Sequence, residues 1–341
     1  MTKMIAVLLL LLGSGAAGAA SAQGGMQKVN VGIAFVSTQT LPIWVAEDEG
    51  LAKKYGLDLK LILFQGSAAA TQALVAGSVD IVFGTASAAI TVVGRGAPVA
   101  LVAMEQLINY EVVARPDFTS MEQLRGRSAG ISAFSGGDDF ALRRLLPKFG
   151  LTPDKDVKIV VLGTPNSYQK DQSVLNGTVD ATLSSFDVIA TLKAEGKQMS
   201  VLAETLANGV KLSVGDIYVM RPYLGKNRGT VENFLRAYVE AVRMIKNDKQ
   251  LAIQHLKKYT HVTNPEVEET VYQKLVLGEI RDVPWPIEES ILQQRDDMAT
   301  TSPDLARLKS MGIDAFVDEG PLRTLEKEGF FEKLPPLKAQ P

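Results

Sequence analysis

Between residues 29 and 203, short apolar runs alternate with stretches whose apolar side chains recur at helical spacing. Val29–Phe35 is an apolar-rich run of strand length. Pro42–Lys54 then places Ile43, Trp44, Ala46 and Leu51 on one broad face. Pro42 suits a first helical turn and Gly56 a stop, so a helix is predicted there. Leu57-Asp58-Leu59-Lys60-Leu61 alternates strictly and predicts a strand with one wet face. Ser67–Val75 reads as a helix capped by Ser67 and stopped by Gly77. Val79–Phe83 and Val99–Met104 read as strands, with a helix over Ser87–Val93 between them.

A second block repeats this grammar. Met121–Leu124 is a short helix, Ser128–Ile131 a strand, and Asp138–Phe149 a helix with two acids in its first turn. Val157–Leu162, Val179–Leu183 and Met199–Ala203 read as strands, with helices over Tyr168–Leu175 and Asp187–Ala194. The segments around Gly77-Ser78-Val79-Asp80 and Gly177-Thr178-Val179-Asp180 share one rhythm. That rhythm fits either an internal duplication or the ordinary form of a helix–Gly–strand junction. After a lone strand at Ile217–Met220, Val231, Phe234, Leu235, Tyr238, Val242 and Ile245 begin a largely helical remainder.

Alternating strands and helices predict an α/β protein with mostly parallel sheets. Two such blocks predict two lobes, 29–110 with 218–335 and 111–217. The chain leaves the first lobe near Asn109–Val113 and returns near Ile217–Met220, giving a two-strand hinge.

In open α/β sheets ligands bind beyond the carboxyl ends of the strands. The turns expected there are small and polar: Thr38, Gln39 and Thr40; Gln65, Gly66 and Ser67; Thr85, Ala86 and Ser87. The second block adds Ser132, Phe134, Ser135, Gly136 and Gly137, then Ser185, Phe186 and Asp187. Any one of these is explained by helix capping alone. Their placement after successive strands makes them candidate ligand-binding residues. Asp138 is a first-turn acid that also falls at the expected crevice. Trp44 and Trp285 read first as packing residues and second as ligand contacts.

Candidate chemistry is sparse. The chain of 341 residues has no Cys, which excludes disulfides, thiolate metal sites and a thiol nucleophile. It carries no P-loop, no zinc-protease helix and no nucleophile elbow. His255 and His261 are six residues apart, a spacing that separates them on a helix. The adjacent acids Glu288/Glu289 and Asp296/Asp297 diverge by about 100° and read as solvated surface. No catalytic group, cofactor or metal site is therefore assigned. A net charge of −2 argues against nucleic acid as a partner. Residues 1–22 read as a cleaved secretory signal, with Lys3, the apolar Ile5–Leu12 and Ala20-Ser21-Ala22 before the cut. Export without cysteine fits a bacterial periplasm.

Pro42-Ile43-Trp44-Val45-Ala46-Glu47-Asp48-Glu49-Gly50-Leu51, Tyr55-Gly56-Leu57-Asp58-Leu59 and Leu74-Val75-Ala76-Gly77-Ser78-Val79-Asp80-Ile81 carry a resemblance. So do Leu124-Arg125-Gly126, Asp139-Phe140-Ala141-Leu142-Arg143 and Asn176-Gly177-Thr178-Val179-Asp180-Ala181. Across residues 29–203 the chain resembles type II periplasmic solute-binding proteins of ABC importers, in the nitrate/sulfonate/taurine and thiamine-precursor branch. The resemblance implies a two-lobed fold, ligand contacts from the turns named above, and a monomeric receptor. It also implies docking on a membrane permease served by a cytoplasmic ATPase. Pyrimidine-synthesising relatives carry a cysteine-rich motif, which this chain lacks. Two alternatives stay open: an enzyme on the same fold using Asp138, Asp139 or Asp187, and a periplasmic sensor subunit.

Overall fold

The computed structural model describes residues 25–260 and 262–338. The expected signal segment 1–22 and His261 lie outside the described residues.

The first lobe opens with β1 (Gln27–Ile33), α1 (Leu41–Asp48), α2 (Leu51–Lys54), β2 (Leu57–Leu63) and α3 (Ser67–Val75). It continues through β3 (Ile81–Gly84), α4 (Ala86–Gly94) and β4 (Val99–Ile108). The chain then crosses at residues 109 and 110. The second lobe holds β5 (Glu111–Ala114), β6 (Arg127–Ile131), α5 (Gly137–Leu145) and β7 (Val157–Val161). After these come α6 (Ser167–Leu175), β8 (Ala181–Ser184), α7 (Phe186–Ala194) and β9 (Ser200–Glu204). The return passes through 205–211 into β10 (Leu212–Met220). The remainder is helical, with α8 (Arg221–Lys226), α9 (Arg228–Asn247), α10 (Lys249–Tyr259), α11 (Pro265–Val271) and α12 (Glu288–Thr301). Two further helices, α13 (Gly320–Lys327) and α14 (Phe330–Lys333), close it.

The two sheets have orders β2-β1-β3-β10-β4 and β7-β6-β8-β5-β9. In each, four strands run one way and the fourth position is antiparallel. The odd strand is in each case the one that has just crossed: β5 enters the second sheet between β8 and β9, and β10 enters the first between β3 and β4. A crossing strand re-enters from the hinge end, so it must run against its neighbours. The expected lobe boundary at 217 falls inside β10, whose pairing with β4 begins at Leu212 and is interrupted only between Ile217 and Tyr218. The return is therefore earlier than the sequence pattern placed it.

Other boundaries moved for local reasons. The single helix expected over Pro42–Lys54 is two, because Gly50 sits at φ +71° between α1 and α2. Glycine adopts that left-handed backbone without a Cβ clash. The helix expected over Asp138–Phe149 turns into a 3-10 turn at Leu146, immediately before Pro147. Proline has no N–H to extend the α ladder.

The apolar stripe of α9 packs under the first sheet, with Val231, Phe234, Leu235, Tyr238, Val242 and Ile245 all buried. Trp44 stacks on Tyr259 with ring centroids 4.5 Å apart, and Arg323 lies over Trp285 at 4.4 Å. Both tryptophans are thus packing residues. His255 is buried and meets Glu49 Oε1 through Nε2 at 2.8 Å.

Candidate functional site

The carboxyl ends of both sheets face one another across a cavity of about 40 Å³. One water needs roughly 10–15 Å³ on this scale, so the space is that of only a few waters. The first lobe supplies Phe35, Ser37, Gln39, Gly66, Ser67 and Thr85 to the wall. The second supplies Ser132, Gly136, Gly137, Asp138, Lys170 and Ser185. Ile108 at the end of β4, Val214 in β10 and Tyr110 from the crossing complete the wall.

Each polar turn arrives there because its strand ends at the same sheet edge. β1 ends at Ile33 and its chain continues through Phe35 to a 3-10 turn over Thr38–Thr40. β3 ends at Gly84 and α4 starts two residues later. Gly84 keeps this turn tight: a Cβ there would lie 2.8 Å from Tyr218 Oη. In the second lobe β6 feeds Ser132 and the Gly136–Gly137 pair, and β8 feeds Ser185.

The lobes touch directly. Thr38 Oγ1 donates to Asp187 Oδ2 at 2.7 Å, and the Val36 N–H donates to Pro165 O at 3.1 Å. Asp187 Oδ1 accepts from Ser185 Oγ. Gly137 sits so close to the first lobe that a Cβ on it would lie 2.8 Å from Thr85 Cγ2.

Of the residues read from the sequence, Gln39, Gly66, Ser67, Thr85, Ser132, Gly136, Gly137 and Ser185 lie on the wall. Thr38 and Asp187 form the bond between the lobes. The others are placed differently. Thr40 is buried and donates to Phe35 O, and Ser87 pairs with Thr85 Oγ1 at 3.0 Å. The Ala86 N–H is taken by Asp216. Gln65 and Ser135 are off the wall, and Ser135, at φ +61°, gives its N–H to Asp139 at 2.8 Å. Phe134 is exposed, with Arg143 over its ring, while Phe186 lies under Lys274 Nζ at 3.9 Å.

The sequence reading missed Lys170 and Tyr110. Lys170 is buried inside α6 and bonds Asp138 Oδ2 at 2.9 Å. One signal pointed to it: Lys170 and Val174 are four apart, so the lysine shares the inward face of that helix.

Electrostatics follow from burial. Burial alone would raise the Asp138 carboxyl, but the Lys170 ammonium and the Ser132 N–H and hydroxyl outweigh it and hold it below its ordinary range. Tyr110 is pushed the other way, first by burial and then by Asp138, Asp187 and Asp216. Asp171, behind the wall, is raised to about 7 by burial despite the bond from Ser184 Oγ. Asp216 is also raised to about 7 by burial, against bonds from Ser213 Oγ and the Ala86 N–H. Among the described residues, no group of three or more His, Cys, Asp or Glu is arranged to hold a metal ion.

Residues 37–252, which hold every wall residue named above except Phe35, match the family model described as NMT1/THI5 like. The chain belongs to the NMT1/THI5-like family. Curated binding proteins of Brucella abortus and Brucella suis are 29% identical over 160 residues, which is 47% of this chain and 48% of theirs. The chain thus matches about half the length of these curated relatives. Among solved structures, a protein of Bordetella bronchiseptica superposes with a TM-score of 0.77 at 21% identity, covering 88% of this chain and 98% of that one. The alkanesulfonate-binding protein SsuA of Xanthomonas axonopodis, bound to MOPS, gives 0.67 at 17% identity, covering 82% and 94%. The nitrate-binding protein NrtA of Synechocystis gives 0.65 at 13%, covering 89% of each. This NMT1/THI5-like chain therefore has the two-lobed type II periplasmic-binding-protein fold.

Proposed function

We propose that this protein is a periplasmic solute-binding receptor that captures a small organic ligand between its lobes and delivers it to an ABC importer. The observation that carries the reading is the cavity walled by polar turns from both sheets, together with the Thr38–Asp187 bond between the lobes. The proteins this chain is similar to, binding proteins for nitrate and alkanesulfonates among them, support the same class. Among the described residues no helix is long and apolar enough to cross a membrane.

Ligand would dock on one lobe and recruit donors from the other as the crossings at 109–110 and 205–211 flex. Moving such a balance from mostly open to mostly closed asks about 5.5 kcal/mol of differential affinity. A monomeric closed complex would then dock on the permease. Asp138 has its carboxylate occupied by Lys170 and Ser132, which suits a wall group better than a general base.

The test is calorimetric titration of the purified protein with a broad set of small metabolites, paired with small-angle scattering. Saturable binding accompanied by compaction, without turnover of the bound compound, is the expected result. Turnover would replace the receptor with an enzyme. Uptake lost on deletion of the gene would separate import from sensing.

A further inference from the structure

The wall of the cavity is self-neutralised. Among the described residues lining it, Lys170 is the one cation, and it lies 2.9 Å from Asp138 with both side chains buried. A second bond runs from Lys170 Nζ to Leu183 O at 3.4 Å. Asp187 nearby is bonded to Thr38 and Ser185, while Asp171 and Asp216 lie behind the wall with one oxygen each left without a partner. An anion entering this space would lose its water, find its only cation already paired, and meet the carboxylates of Asp138 and Asp187. Removing a charge from water without a free counter-charge costs several kcal/mol. A ligand cation fares little better, because the lining carboxylate Asp138 is spent on Lys170 and Ser132.

One group on the wall is unspent. Gln39 is 3% exposed, lines the cavity, and its amide nitrogen has no hydrogen-bond partner. A buried donor left without a partner is costly, so a ligand acceptor placed there recovers that cost. Around it, Ser132 and Ser185 give their hydroxyl protons to Asp138 and Asp187 and can still accept, while Ser67 is a neutral hydroxyl that can donate or accept.

Resting on the receptor reading above, we infer that the ligand is an uncharged polar organic molecule with a hydrogen-bond acceptor seated on the Gln39 amide. Discrimination against anions then comes from the Lys170–Asp138 pair, which withdraws the only cation from the cavity. This would set the protein apart from the alkanesulfonate-binding and nitrate-binding proteins it resembles in fold.

Matched probes differing only in charge test the inference. Nicotinamide against nicotinate and methanesulfonamide against methanesulfonate are titrated at neutral pH by calorimetry and thermal shift. The expected result is that a neutral member binds at least about tenfold more tightly than its acid, a difference of about 1.4 kcal/mol. Gln39→Leu and the nearly isosteric Gln39→Glu should each weaken the neutral member by about tenfold or more, with unchanged circular dichroism. Asp138→Asn should free Lys170 and gain affinity for the acids. Acids binding as tightly as their amides would overturn the inference and leave the receptor standing, and so would affinity unaltered by both Gln39 variants. If no probe binds while an anion from the broad metabolite set does, the inference falls and the receptor stands; if nothing in that set binds either, the receptor reading falls with it.

Discussion

Thr38, beyond the end of β1, and Asp187, at the start of α7, meet across the cleft through a 2.7 Å hydrogen bond to a carboxylate. Hydrogen bonds to charged groups are worth about 1.5–3 kcal/mol. Thr38→Val removes the donor while keeping the shape. The expected result is a shift toward the open form, seen as a larger radius of gyration and faster exchange of the Val36 amide, which bonds Pro165 across the same gap. An unchanged radius and unchanged exchange would mean that this bond does not hold the lobes together.

Gly137 is tested by addition. A Cβ there would lie 2.8 Å from Thr85 Cγ2 on the other lobe, and a clash of that kind exists only when the lobes are closed. Gly137→Ala should hold the cleft ajar with little loss of stability. Thr85→Ser, which deletes the obstructing methyl, should restore compaction in the double variant. If scattering finds the single variant as compact as the parent, the contact is softer than the geometry indicates.

The Lys170–Asp138 pair is buried at both ends. Breaking such a pair from one side costs about 3–5 kcal/mol, because a lone charge stays buried. Lys170→Met and Asp138→Asn should each lower stability substantially in urea. The double variant should lose less than the sum, with a coupling of about 1–3 kcal/mol. Additive losses would show that the two groups are stabilised independently.

Asp171 and Asp216 contribute, in the same direction as the buried Glu105, to the pH dependence. Both are raised to about 7 by burial, so the folded state holds a proton more tightly than the unfolded chain does. Stability should therefore be full below the ordinary carboxylate range and fall as pH rises from about 4 to about 7. The slope per group is at most about 1.4 kcal/mol per pH unit. Asp138 has the opposite sign: its carboxyl is lowered, so its contribution is lost only as pH drops below that window. Asp216→Asn should flatten the fall in urea midpoints measured across this range. A parent protein whose stability rises over the same interval would contradict the assignment.

Much of the fold was legible because its causes are local. The α9 stripe from Val231 to Ile245 needs only helical spacing, and the clean alternation at Leu57–Leu61 needs only the strand period. The polar turns at Gln39, Ser67, Thr85, Ser132 and Ser185 were legible as turn chemistry after apolar runs. Lys170 was not, since a lysine within a helix is ordinarily solvated. Only its contact with Asp138, thirty-two positions away, makes its burial tolerable. Phe134 shows the converse: an aromatic in a candidate turn that the tertiary structure leaves 54% exposed.

By itself the sequence determined which segments are strands and helices, and that small polar turns follow successive strands. Those outcomes depend on side-chain period, glycine stops and proline, all of which act within a few residues. The two crossings and the facing sets of turns were also expected, but the antiparallel insertion of β5 and β10, the cancelling of Lys170 by Asp138 and the unpaired Gln39 amide came only from the three-dimensional packing. These are contacts between residues far apart in the chain. Whether a charge is free or neutralised depends on what burial brings beside it, and no local pattern encodes that.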